Sequence, residues 1–271
     1  MKVNNTRKPA FLTGSQNIKE EKSEEPSLSA TIYGRNTVLE ALKSGREIEK
    51  LLVLKSAEGS IRKIEAMARD RRIPIQYVDK AALDRIGEHH QGVAATTTEY
   101  RYSEVEDILE VAASRGEPPF LVLLDGIEDP HNLGAILRTV DGAGAHGVII
   151  PKRRAAGLTE TVSKASAGAI EHVPVAKVVN LVNTIRDLKK EGLWIAVCDM
   201  EGTPYDEADL SGPIALVIGG EGQGVGRLIR ESADYVVSIP MCGHISSLNA
   251  SNAAAVLLYE VNRQRKKGKR V

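Results

Sequence analysis

Residues 218–226, IGGEGQGVG, place five glycines in nine positions directly after the apolar run IALV. Glycine lets backbone approach a ligand closely and adopt positive φ, so the stretch reads as a loop that admits a nucleotide-like ligand against main chain. No G-x-G-x-x-G register fits and no Gly-Lys-Ser/Thr follows, so it matches neither the dinucleotide fingerprint nor the nucleoside-triphosphate loop. A tight turn would need fewer glycines. A second stretch, DPHNLGAILRTVDGAG at 129–144, opens a helix with Pro130 near its first turn and Asn132 as a possible N-cap. Gly134 and Arg138 then share a face, with Leu137 alongside. A lone arginine is ordinarily a surface charge, but Arg138 stands close to a strand-end loop. The third stretch, SIPMCGHISSLNASNAA at 238–254, passes from a strand-like run through Gly, Ser and Asn into a helix-like run. Cys242 and His244 form a C-x-H pair, yet zinc takes three or four ligands and no partner is suitably spaced, so no metal is expected. Ser246, Ser247 or Asn249 could cap the following helix, and a helix N-terminus at a strand end is also where a polar ligand is held.

These stretches need a scaffold. Residues 1–28 are polar, charged and without periodicity, and read as a disordered tail. Residues 29–100 read as a small α/β/α domain: the helix NTVLEALKSG, the strand KLLVL, the helix SIRKIEAMARDRR, the strand IPIQYV, the helix KAALDRIG and the strand QGVAATTT. A linker is expected at 101–118, where a short amphipathic helix runs into Gly116, Pro118 and Pro119. From 119 to 271 the strands FLVLLDGI, GVIIP, VPVAKV, LWIAVCD, IALVIGG and YVVSIP alternate with helices, which implies a mostly parallel sheet covered on both faces. In such sheets ligands bind beyond the carboxyl ends of the strands. All three stretches leave strand ends.

Composition narrows the function. At 271 residues and 42% hydrophobic, the chain can bury a substantial core. Aromatics are only 4%, so base stacking on aromatic platforms does not dominate any nucleic-acid contact, which must lean on Arg, Lys and backbone groups. Net charge is zero, but KEEKSEE near the N-terminus is acidic and RQRKKGKRV at the C-terminus is basic, the latter either phosphate-attracting or a solvated helix end. Two distant cysteines fit a reducing cytosol, and with neither an apolar signal core nor a bilayer-spanning run a cytoplasmic protein without membrane association is expected.

Taken together, DPHNLGAILRTVDGAG, IGGEGQGVG and IPMCGHISSLNASNAAAVLLYE resemble, in order and spacing, the three motifs of the SpoU-type (TrmH-like) RNA ribose 2′-O-methyltransferases. IYGRNTVLEAL and HHQGVAA resemble the L30e-like substrate-binding domain of the RlmB-like members, which act on a guanosine of 23S ribosomal RNA. The resemblance implies a SPOUT-type α/β domain with a deep trefoil knot, where strand pattern alone suggests an open doubly wound sheet. It also implies S-adenosylmethionine as methyl donor and a homodimer. By motif match, Gly219, Ile239 and Leu248 would contact the cofactor, with Gly220, Gly222 and Met241 beside them.

The catalytic positions implied by the resemblance are Asn132, Arg138, Glu221, Ser247 and Asn249. Methyl transfer from a sulfonium needs the ribose hydroxyl about 3 Å from the methyl carbon and help in losing its proton. A guanidinium stays protonated at physiological pH, so Arg138 is better cast as holding the neighbouring phosphate and stabilising developing alkoxide charge. Asn132 and Asn249 would orient it or the ribose, and Glu221 would hold the loop or Arg138. Further RNA contacts are expected from Lys152, Arg153 and Arg154 in PKRRAAG, from Lys164, and from Arg35 beside the HHQG turn, each otherwise a solvated charge. The alternatives are a transfer RNA ribose 2′-O-methyltransferase, or a non-catalytic RNA-binding or ribosome-assembly protein.

Overall fold

Alternation sets the larger sheet of the computed structural model, which describes residues 29–222 and 224–268. In β5, Phe120–Asp125, the odd and even side chains are both buried, because helices cover both faces. Phe120, Val122 and Leu124 pack beneath α5, Pro130–Ala143, and α9, Ala250–Gly268. Leu121 and Leu123 pack on the opposite side with α4, Val105–Ser114, and α7, Leu181–Lys190.

Around β5 lie β6, Gly147–Pro151, β7, Val175–Val178, β8, Trp194–Pro204, β9, Ile214–Gly219, and β10, Tyr235–Ser238. They form one parallel sheet in the order β10-β8-β9-β5-β6-β7. All six strands are those expected. The short helices α6, Glu160–Ala165, and α8, Arg227–Glu231, complete this domain.

Asp129, not Asn132, caps α5: its side chain accepts the amide of His131 at 2.8 Å. Pro130 then occupies the first turn, and Gly144, at φ 75°, closes the helix in the left-handed conformation. Asn132 is thereby freed for other contacts. The stretch 101–118 is more than a linker. It contains α4, whose Ile108 is fully buried on the sheet.

The smaller domain has a four-stranded sheet ordered β1-β4-β2-β3, from β1, Ser29–Tyr33, β2, Ile48–Leu54, β3, Ile75–Val78, and β4, Val93–Thr98. Helices α1, Arg35–Lys43, α2, Ile61–Asp70, and α3, Lys80–Asp84, accompany it. β1 was not expected; it pairs antiparallel with β4. The tail at 1–28 lies outside the described residues.

A buried histidine ties the start of β5 to the loop before it. His146 Nδ1 accepts the amide of Phe120 at 3.0 Å, and Nε2 lies 3.2 Å from Glu117 Oε2. Burial, partly offset by Glu117, holds the imidazole below its ordinary value of 6.5. Protonating Nδ1 would also break the bond from Phe120. The unfolded chain therefore takes up this proton first, and the stabilisation, complete above 6.5, is lost as pH falls through the lower folded value. Thermal unfolding from pH 7.5 to 5 is expected to show a fall in Tm that is reduced in His146→Gln; equal slopes in both proteins would contradict it.

Candidate active site

Three loops at the carboxyl ends of β5, β9 and β10 meet in one hydrogen-bonded cluster. Asn132, early in α5, donates to Glu221 Oε1 at 3.1 Å. Asn249, just before α9, donates to Asn132 Oδ1 at 3.0 Å and also to Glu221 Oε1. Each residue comes from a different sequence motif. Asn249 serves twice: its Oδ1 accepts the amide of Ser251 at 2.9 Å and the Ser251 hydroxyl at 2.6 Å, so it caps α9 while its amide nitrogen reaches the cluster. Among Ser246, Ser247 and Asn249, the structure gives the cap to Asn249.

Glu221 stands between two cavities. One, of about 740 Å³, is lined by Gly219, Gly220, Gly222, Ile239, Met241 and Leu248, the whole set expected to face a cofactor, and Ser247 and Asn249 border it too. Its volume suits a small-molecule ligand. The other, of about 830 Å³, lies between the β5 loop at 125–129 and the far side of the glycine loop, with Asn132 and Arg154 in its wall.

Two of the five glycines are also required by packing. A Cβ on Gly220 would fall 2.1 Å from the Gly126 carbonyl oxygen, and one on Gly219 would fall 2.3 Å from the Gly224 carbonyl carbon. These two glycines let protein loops pack on each other. Gly222, at φ 90°, and Gly224, at φ 62°, both with open space around them, fit the expectation of backbone bared toward a ligand.

Arg138 is not brought into the cluster. It is exposed, six residues past Asn132 and so about 9 Å along the helix axis, and it lines neither cavity. The Glu221 carboxylate accepts from the two asparagines and makes no ion pair with Arg138. Gly134, on the same helix, is buried against α6.

The basic residues divide. Lys152, Arg153 and Arg154 are exposed on the loop after β6. Arg35 is engaged locally: Nε donates to the Gln91 carbonyl at 2.9 Å and Nη1 to Ser60 Oγ at 3.1 Å, bracing the HHQG turn. Lys164 donates to the Glu88 carbonyl at 3.0 Å, across to the smaller domain. In the C-terminal basic run, Arg265 donates to the carbonyls of Pro118, Pro119 and Gly212, and so braces the fold.

Motif reading missed Cys198, Asp199 and Met200, which line the 740 Å³ cavity. They end the apolar core of β8, and the strand-end rule applied to LWIAVCD would have found them. Burial, with Asp199 adding to it, pushes the Cys198 thiol up to about 11, so it remains protonated there. Among the described residues no group of three His, Cys, Asp or Glu side chains is placed to hold a metal ion, and no helix is long and apolar enough to cross a membrane.

Comparison with known proteins bears on the same two regions. The model of the SpoU rRNA methylase family matches residues 119–259, and that of the RNA 2′-O ribose methyltransferase substrate-binding domain matches 31–103. A putative TrmH family tRNA/rRNA methyltransferase of Bacillus subtilis, YacO, is 46% identical over 86% of this chain and 95% of its own. The SpoU methyltransferase AviRb of Streptomyces viridochromogenes, solved with AdoMet, superposes with a TM-score of 0.76 at 27% identity, covering 89% of this chain and 92% of that one. An AdoMet-bound rRNA methyltransferase of Sinorhizobium meliloti gives 0.72 at 27% identity, with 87% of each chain covered. With its three motif loops joined at Glu221 and both domains matched in order, the chain belongs to the SpoU family of RNA methyltransferases.

Proposed function

We propose that this chain methylates the ribose 2′-hydroxyl of a guanosine in 23S ribosomal RNA, with S-adenosylmethionine as donor. The observation that carries the reading is the Asn132–Glu221–Asn249 cluster, whose Glu221 and Asn249 line the 740 Å³ cavity. That cavity suits the cofactor: Ile218, Ile239, Met241, Leu248 and Ala253 give an apolar wall, while the glycine loop offers backbone polar groups. Bound there, S-adenosylmethionine supplies an electrophilic methyl group.

The protein's own part is to place a hydroxyl and stabilise charge. Glu221 Oε1 is committed to the two asparagines, which fixes the carboxylate and leaves Oε2 to accept a hydrogen bond from a ribose hydroxyl. Ser247 borders the same cavity and can orient the sugar. Arg138 binds the adjacent phosphate and stabilises the developing alkoxide. A homodimer and a knotted backbone belong to this proposal. A single chain leaves Arg138 outside both cavities, and a second copy packed on the α5 surface completes the arrangement. Ribosomal rather than transfer RNA is favoured by the substrate-binding domain at 31–103 and by the rRNA activity in the name of the S. meliloti relative. The exposed Lys152, Arg153 and Arg154 provide phosphate contacts.

The test is incubation with methyl-labelled S-adenosylmethionine and unmodified 23S ribosomal RNA or transfer RNA, followed by mapping of the labelled ribose. Label on a 23S guanosine is the expected result. Label on transfer RNA alone would move the assignment to that substrate, and RNA binding without label would indicate a non-catalytic RNA-binding protein.

A further inference from the structure

Two buried charged side chains lie at the junction of the domains, outside both cavities beside Glu221. Arg46, before β2, and Glu171, in the 3-10 turn after α6, are 7% and 5% exposed and pair at 2.9 Å. The Arg46 guanidinium also donates to the Thr98 carbonyl and lies 3.6 Å from the centroid of the Tyr100 ring. Ser44 Oγ donates to the second Glu171 oxygen at 3.2 Å. The Tyr100 hydroxyl meets Ser163 Oγ, on α6, at 2.6 Å. Burial, joined by the Glu171 charge, pushes that phenol up to about 12, so it remains a donor.

The rim adds three more contacts. His172 Nε2 lies 2.9 Å from Glu40 Oε2, and Lys164 reaches the Glu88 carbonyl and, at 4.5 Å, the face of the Tyr33 ring. Gly168, at φ 94°, lacks the Cβ that would meet the Glu40 side chain at 2.6 Å. The segment that receives the smaller domain also supports the catalytic helix: a Cβ on Gly134 would lie 2.4 Å from the Ala165 Cβ and 2.9 Å from the Ser166 amide nitrogen. Packed contacts thus run unbroken from the smaller domain through α6 to α5, which carries Asn132 and Arg138.

Domains of one chain move relative to each other unless their interface is large and apolar, and a buried ion pair adds little stability over apolar side chains while demanding one geometry. Such a pair, stacked on a tyrosine and hydrogen-bonded on several sides, fixes orientation. We propose that Arg46 and Glu171 are positioning residues for the RNA substrate, locking the substrate-binding domain in one pose on α6 so that the two domains engage one RNA as a rigid bivalent clamp. This rests on the proposed RNA methylation. The pose sets the effective concentration at which RNA held by one domain meets the other.

The experiment compares full-length wild type with Glu171→Ala and with the milder Arg46→Lys, which keeps the charge but loses the fork. Small-angle scattering reads domain separation, calorimetry reads S-adenosylmethionine affinity, and steady-state kinetics on a ribosomal RNA fragment separate KM from kcat. Expected are a larger radius of gyration, an RNA KM raised about tenfold or more, and kcat and cofactor Kd within about twofold of wild type. Unchanged scattering, or released domains with unchanged RNA KM, would overturn the proposal. Should the wild type methylate no RNA, the functional reading fails by itself; RNA affinity by fluorescence anisotropy then replaces KM, with the same tenfold loss expected and an unchanged affinity again overturning it.

Discussion

Arg138→Lys is expected to lower the rate of methyl transfer by about 100-fold or more, the loss typical when a preorganised donor to a developing oxyanion is removed, while leaving S-adenosylmethionine affinity near the wild-type value. The two halves of this result rest on different observations. Arg138 lines neither cavity beside Glu221, so its side chain has nothing to lose in cofactor binding. It is exposed, with no ion-pair partner among the described residues, so its charge is available to substrate phosphate. Lysine keeps that charge but is a point donor, without the planar fork that binds phosphate through two nitrogens at once. Single-turnover rates at saturating RNA and cofactor, with Kd from calorimetry, check both halves. If cofactor affinity collapsed together with turnover, Arg138 would be supporting the cofactor cavity.

How far this site could be read from sequence follows from the range of each interaction. The six strands of the larger sheet were legible because a strand covered on both faces is an uninterrupted apolar run, as in FLVLLD. β1 was not, since SATIY is short and follows the polar tail, and only its pairing with β4, far along the chain, reveals it as a strand. The α5 cap was legible in principle: Asp followed by Pro is itself an N-terminal signal, and it outranks the Asn three positions on. The motif residues clustered because each belongs to a strand-end loop of one parallel sheet. Arg35, Lys164 and Arg265 are instructive. Each looked like a phosphate contact, and each also donates to a carbonyl of the protein. For Lys164 the acceptor is 76 residues away. Composition records the charge but not that partner, so a basic residue in sequence is evidence for an anion site only where structure leaves it unengaged, as it leaves Arg153 and Arg138.

Gly220→Ala should be the most damaging single-methyl change in the glycine loop, costing about 1–3 kcal/mol of stability by overpacking and most of the affinity for S-adenosylmethionine. The added Cβ would stand 2.1 Å from the Gly126 carbonyl oxygen, well inside contact distance, and its neighbour is backbone rather than a side chain that could swing away. Neither strand end can easily yield. The Gly220 amide donates to the Asp125 carbonyl at 2.7 Å, the Gly224 amide donates to the Gly220 carbonyl at 3.1 Å, and Asp125 Oδ2 accepts the Gly226 amide at 2.8 Å. Relief of the clash would therefore spread the β5 and β9 loops apart, and both loops border Glu221: one side holds the 740 Å³ cavity and the other carries Asn132. Gly222→Ala is the control. Nothing lies within 4 Å of its Cβ, so it bears only the left-handed backbone penalty at φ 90°, about 1–2 kcal/mol, without a collision between the loops. Thermal unfolding and equilibrium dialysis with labelled cofactor should then rank Gly220→Ala below Gly222→Ala in both Tm and affinity. The reverse order would mean that the loop ends are soft and that the glycines serve the ligand more than the packing.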